Sequence, residues 1–205
     1  MEEQPAGAVA AGGGLAQGVK CAWAASAPEY VAYHDEEWGR PVTEDAALYE
    51  RLSLEAFQSG LSWLVILRKR EGFRRAFDGF DPHKVAAYTE QDVTRLLGDA
   101  SIVRNRRKIE AAVANARAAL ELPGGLSSLI WRFADPKAPA PRTPADVPAW
   151  TQGSKDLAKA LRKAGFRFVG PTTAYALMQA CGLVNDHLEA CPARAFSGPG
   201  AIGRV

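Results

Sequence analysis

The chain has 205 residues, 47% of them hydrophobic and 23% charged, with a formal net charge of +2. That length suits one domain, simple or two-lobed, and so small a charge excludes a protein that merely coats phosphates; any nucleic-acid contact must come from a local patch. No apolar run reaches membrane-span length, three cysteines cannot all pair, and residues 1–20 lack the basic start and hydrophobic centre of a signal peptide, so a reduced, cytoplasmic protein without membrane association is expected.

Residues 1–20, Ala- and Gly-rich with few bulky apolar side chains, read as a flexible tail. A single helical domain is expected over 21–192, and a second flexible tail over 193–205. The domain opens at Cys21-Ala22-Trp23, followed by the aromatic segment Tyr30 to Gly39. Thr43-Glu44-Asp45 then starts a helix through Leu48, Leu52, Leu54 and Phe57. Gly60 interrupts it, and Ser62 caps a second helix carrying Trp63, Ile66, Leu67, Phe73 and Phe77. The turn Gln58 to Leu61 therefore projects between two helix ends.

Asp81-Pro82 begins a short helix, and Thr89-Glu90-Gln91-Asp92 resembles a capping box. A long helix is expected over Arg104 to Leu120 and a short one over Ser127 to Phe133, before a Pro- and Ala-rich connection over 134–150. Ser154 is expected to cap the helix that ends at Gly165. Pro171 suits the first position of the next helix, which runs to Cys181. Gly165-Phe166-Arg167-Phe168-Val169-Gly170 joins these two helices as a hairpin. Free backbone N–H groups at the start of the second helix make a seat for a phosphate. No strand-like alternation of useful length occurs, so the fold class is all-α.

His187 and Cys191, four residues apart, would share one face of a helix, while Cys21 and His34 bracket the first aromatic segment. Two cysteines and two histidines suit four-coordinate zinc, in a closed set that clamps rather than catalyses. The bland alternative stays open: Cys181 shows that a cysteine here can be plain core, and His187 can be a hydrogen-bonded interior histidine. Asp186 or Asp35 could orient a ligating imidazole. The basic runs Arg68-Lys69-Arg70 and Arg104 to Lys108 read as solvated faces.

Taken in order, Cys21-Ala22-Trp23, Tyr33-His34-Asp35-Glu36-Glu37-Trp38-Gly39, Leu54-Glu55, Gly60-Leu61-Ser62-Trp63, the hairpin with Pro171, and Gln179 to His187 resemble the DNA-3-methyladenine glycosylase I family from Cys21 to Cys191. The resemblance implies a two-lobed helix-hairpin-helix glycosylase fold. It implies removal of 3-methyladenine from alkylated double-stranded DNA, leaving an abasic site and the free base, by a protein expected to be a monomer. It also implies one structural zinc joining the chain ends, held by Cys21, His34, His187 and Cys191.

With that chemistry in view, Trp23, Tyr33 and Trp63 are expected to stack on a flipped base, and Trp38 to serve packing. Glu55 is the carboxylate expected to read the base and carry the catalytic role, with Asp186 a weaker candidate for stabilising the sugar cation. The hairpin, through Gly165, Arg167, Val169, Gly170 and Thr172, is expected to hold DNA, and Gly60 and Leu61 to fill the gap the base leaves. Pro171, Thr172 and Thr173 offer no amine after the hairpin, so simple hydrolysis without strand cleavage is expected. The alternative is a non-catalytic, zinc-containing helix-hairpin-helix DNA-binding module. A hydrolase of small substrates using Cys191 beside His187 is a second rival.

Overall fold

A computed structural model describes residues 20–203; the expected N-terminal tail falls, save Lys20, outside the described residues. Among the described residues every regular element is helical. After a 3₁₀ turn, Ala22–Ala25, α1 (Pro28–Ala32) runs directly into a π-helical turn, Tyr33–Glu37. Next come α2 (Asp45–Gln58) and α3 (Trp63–Ala76), either side of the Gln58 to Leu61 turn. The short α4 (Pro82–Ala86) and α5 (Glu90–Gly98) lead to α6 (Arg106–Leu120) and α7 (Gly125–Ile130). The Pro-rich connection then feeds the hairpin pair α8 (Gln152–Lys163) and α9 (Pro171–Ala180).

One continuous buried cluster, from Leu48 on α2 to Val184 beyond α9, ties these helices together. Within it Phe57, Phe73 and Phe77 follow one another as an aromatic chain, and Phe80 and Tyr88 both pack on Phe77, with the Phe77 and Phe80 rings parallel at 5.4 Å. A small satellite of Cys21, Cys191 and Ala193 lies apart from it, with Trp23 and Leu188 packed against it.

Several local expectations hold. Pro82 and Pro171 stand in the first turns of α4 and α9, where a missing N–H costs nothing, and Thr89 and Asp92 cap each other reciprocally. Gly165 takes φ +96°, the left-handed conformation that stops α8. Other boundaries move because side chains choose different partners. Thr151, rather than Ser154, caps α8: its hydroxyl accepts from Ser154 N–H at 3.1 Å, and Ser154 Oγ accepts from Thr151 N–H at 2.9 Å. The long helix starts at Arg106 because the Asn105 side chain accepts from Lys108 N–H. Asp45 caps a distant helix, accepting from Leu126 and Ser127 N–H at 3.1 and 2.7 Å.

Two expectations need correction. Residues 185–191 are not helical; His187 and Cys191 come together through a turn in which Cys191 N–H donates to Leu188 O. The segment expected as a C-terminal tail from 193 packs instead. Pro192–Phe196 and Pro199–Ala201 form 3₁₀ turns, Ala193, Ser197 and Ala201 are buried, and Gly198 N–H donates to Gly39 O at 2.8 Å.

Candidate functional site

A cavity of about 270 Å³ opens between the N-terminal aromatic segment, the α2–α3 turn and α9. A methylated purine fits within that volume. Trp23, Tyr30, Tyr33 and Trp38 form one wall, with Trp63 from α3 beside Tyr33 at 5.4 Å between centroids. The Trp23 ring meets Tyr30 and Trp38 edge-on at 5.6 and 5.1 Å, so the wall is braced by its own rings. Glu55 and Gln58 reach in from α2, and Ala176 and Gln179 from α9.

Trp23, Tyr33, Trp63 and Glu55 are thus brought together as the sequence led us to expect. Trp38 lines the cavity as well as packing behind it. Tyr30 is an additional lining residue; its place in the aromatic run is the signal that could have found it. Phe57, two residues beyond Glu55, turns the other way into the aromatic core.

Glu55 is 5% exposed, and no described residue donates a hydrogen bond to its carboxyl. Burial pushes that carboxyl up to about 8, against an opposing pull from the Arg51 guanidinium one helical turn earlier. Arg51 itself is tied with Arg70 to Glu37, leaving its Nη1 buried and unpartnered. Trp63 Nε1 is likewise buried without an acceptor. The cavity therefore presents a carboxyl that no described residue engages, while the Arg51 and Trp63 nitrogens are sealed within the protein.

Behind the aromatic wall lies a second polar cluster. Cys21, His34, His187 and Cys191 are all buried, with one ligand atom of each within 4.8 Å of the others. His187 Nδ1 is 3.1 Å from His34 Nε2, and Cys191 Sγ is 3.5 and 3.6 Å from these two nitrogens. Cys21 Sγ lies 3.8 Å from His187 Nδ1. Atoms ~2.0–2.3 Å from a tetrahedral metal lie roughly 3.3–3.8 Å apart, so the four residues fit a four-coordinate metal.

The outward nitrogens are also held: His34 Nδ1 contacts Asp35 at 2.7 Å and His187 Nε2 contacts the Trp38 carbonyl at 3.0 Å. Of the two carboxylates considered for that task, Asp35 serves and Asp186 does not. Burial holds the His187 imidazole down at about 4, hence neutral as a ligand must be, and pushes the Cys21 thiol up to about 11, so that metal binding would expel protons. Trp23 packs on His34 at 5.2 Å and Trp38 on His187 at 4.6 Å, so this cluster backs the cavity wall directly. Cys191, 3% exposed, is one of these four clustered residues and is absent from the cavity lining, which disfavours it as a nucleophile.

The hairpin and the turn have supports that the sequence did not announce. Asn115, fully buried on α6, accepts from Arg167 N–H at 2.7 Å and donates to Arg167 O at 3.2 Å. The Arg167 amide is therefore occupied, leaving only its exposed side chain for a ligand. Phe168 adopts φ +55°, and the Val169 side chain is buried, so Val169 could meet a ligand only through its backbone. Gly170 stands ahead of α9 as its N-cap, Gly165 and Thr172 are exposed, and the first-turn amides of α9 lack intrahelical acceptors.

In the turn, Gly60 has φ +82° and Leu61 is 41% exposed at the tip. Lys108, read from sequence as part of a solvated basic run, is buried and donates to Phe57 O and Ser59 O at 2.8 and 2.6 Å. It closes the C-terminus of α2 where the chain turns towards Gly60. Arg68 and Arg106 do behave as surface residues, each paired with a glutamate.

The model of the family described as methyladenine glycosylase matches residues 23–195. The chain is similar to DNA-3-methyladenine glycosylase 1 of Escherichia coli, at 47% identity over 84% of this chain and 95% of that protein. It is 44% identical to the DNA-3-methyladenine glycosylase of Haemophilus influenzae, over 85% and 97% of the two chains. Its fold matches a structure of 3-methyladenine DNA glycosylase I from Staphylococcus aureus, described as the basis of 3-methyladenine recognition, with a TM-score of 0.81, 37% identity, and coverage of 85% and 95%. On the family match across nearly all of its described length and on identities of this size, the chain belongs to the methyladenine glycosylase family.

Proposed function

We propose that this protein is a base-excision repair glycosylase that removes 3-methyladenine from alkylated duplex DNA and leaves an abasic site. The observation that carries this reading is an aromatic cavity that admits a purine, with a buried carboxyl, Glu55, to which no described residue donates a hydrogen bond. A base inside a duplex is unreachable, so the damaged nucleotide swings out and stacks on Trp63 and Tyr33, each base–aromatic contact contributing roughly 1–3 kcal/mol. Its positive charge adds attraction to the π-faces.

Glu55 reads the purine edge and, having given its proton to solvent water, balances that charge as a carboxylate. Methylation has already activated the leaving group, so no strong general acid is needed. The C1′–N9 bond breaks with its electron pair departing on the now neutral base. Water bonds to C1′ and passes its extra proton to bulk water. No lysine follows the hairpin to form a Schiff base, in keeping with hydrolysis alone.

The same reading assigns the chain to the helix-hairpin-helix superfamily, with two lobes around the cleft and the domain beginning near residue 21. Free amides around Val169, Gly170 and Thr172, with the Gly165 turn and the Arg167 side chain, hold a DNA phosphate, and Gly60 and Leu61 enter the gap left by the base. Zinc, when bound by Cys21, His34, His187 and Cys191, supplies a structural clamp rather than a reactive centre. Those four residues keep Trp23 and Trp38 in register as the cavity wall. The protein acts as a monomer in the cytoplasm. No helix among the described residues is long and apolar enough to cross a membrane.

Incubation with methylated duplex DNA tests the activity. Free 3-methyladenine and alkali-labile abasic sites are expected in equal amounts. Salt-sensitive duplex binding with no released base would instead favour the non-catalytic binding module.

A further inference from the structure

The α9 part of the cavity wall carries a device that the chemistry above does not use. Gln179 lines the cavity, and its Nε2 donates to Asp186 Oδ2 at 2.8 Å. The Tyr175 hydroxyl donates to the same oxygen at 2.6 Å. Tyr175 and Asp186 are 4% and 8% exposed, so this carboxylate is fixed in the core. Asp186 does not line the base cavity; it lines a neighbouring one of about 330 Å³ that shares Trp23, Trp38 and Gln179 with it. Its place is thus behind Gln179, which removes it as the stabiliser of a sugar cation.

A carboxylate offers only lone pairs, so the Gln179 amide must turn its N–H₂ towards Asp186. Its Oε1 receives no hydrogen bond from the described residues and is not sealed in protein. We infer that Gln179, oriented by Asp186, presents a fixed carbonyl acceptor to the flipped base and selects a 3-methylated adenine over a 3-methylated guanine. The discriminating atom is the substituent on C6: an amino donor in adenine, a carbonyl acceptor in guanine. An acceptor facing the guanine carbonyl leaves both groups desolvated and unpaired. Glu55 alone separates the two poorly, since a carboxyl that gains or loses its proton can meet either group. Gln179 cannot turn over without breaking its bond to Asp186. Gln179 is therefore a specificity residue and Asp186 its positioning residue.

The inference rests on the glycosylase reading, and its test separates the two. The readout is the ratio of 3-methyladenine to 3-methylguanine released from one methylated duplex, with melting temperature and metal content measured alongside. Gln179→Met keeps the bulk and removes the acceptor; the ratio should fall about tenfold, an effect of the size of one misplaced hydrogen bond. Asp186→Asn, whose amide can face Gln179 with either atom, should lower the ratio in the same direction. An unchanged ratio in Gln179→Met, with both releases rising or falling together, overturns the assignment and leaves Gln179 as wall. A wild-type protein that releases neither base overturns the glycosylase reading and this inference with it.

Discussion

Two buried polar clusters stand back to back in this protein, with Trp23 and Trp38 as the partition between them, and they treat their polar atoms in opposite ways. In the Cys21, His34, His187 and Cys191 cluster each imidazole has a second partner, Cys21 Sγ receives the Leu188 N–H, and the remaining atoms converge on one point. In the aromatic cavity no described residue donates to the Glu55 carboxyl. Burying a polar group without a partner costs on the order of 1–3 kcal/mol, so folding alone gives no reason to keep such groups. The first cluster has the geometry to receive one small ion. The second leaves a carboxyl and aromatic faces open to a ligand.

The contrast can be broken most severely at the metal side. Cys21→Ser should lose the metal and lower the melting temperature by about 10 °C, because a bound metal contributes folding free energy directly. Metal analysis beside a thermal melt checks this, and a variant retaining one metal per chain would take Cys21 out of the set.

Glu55→Gln should leave the fold intact and slow excision by roughly 10²–10³, the scale of losing one preorganised electrostatic group. Its stability should also depend on pH in a definite sense. The folded protein holds the Glu55 proton up to about 8, whereas the ordinary value is 4.5. Between those limits the unfolded chain gives up a proton that the folded one keeps, so the wild type loses stability as pH rises through this window. Glu55→Gln, with no proton to lose, should therefore gain on the wild type from about pH 4.5 to about pH 8 and level off above. Urea unfolding across that range reads the difference, and a gap without slope would mean that Glu55 is not held protonated.

The smallest effect sharpens the comparison rather than breaking it. Lys108→Met should weaken excision from duplex DNA about tenfold, by loosening the carbonyls that set the Gln58 to Leu61 turn, a loss worth about 1.4 kcal/mol. Affinity for free 3-methyladenine should be unchanged, since Lys108 does not line the cavity. Equal losses in both measurements would place the lysine's effect in the core.

The residues of both clusters were legible in the chain, but often for reasons the fold does not share. His187 and Cys191 were paired by helical spacing and in fact meet across a turn. Asp186 stood out for its distance beyond the hairpin, yet it serves Gln179. Lys108 looked solvated within a basic run, although it is buried against two carbonyls, and Asn115 carried no signal despite clamping the hairpin from α6.

What the sequence determined by itself was local: the all-helical character, the glycine and proline punctuation, the capping box at Thr89, and the ordered residues that resemble one family. These depend on backbone preferences and side chains a few positions apart, which a linear reading contains. Only the tertiary structure decided which polar atoms are satisfied. Burial raises the Glu55 carboxyl, Asp45 caps a helix some eighty residues away, and the chain end packs against Gly39. Each depends on a partner distant in the chain, and the free energy of a buried polar group is set by that partner.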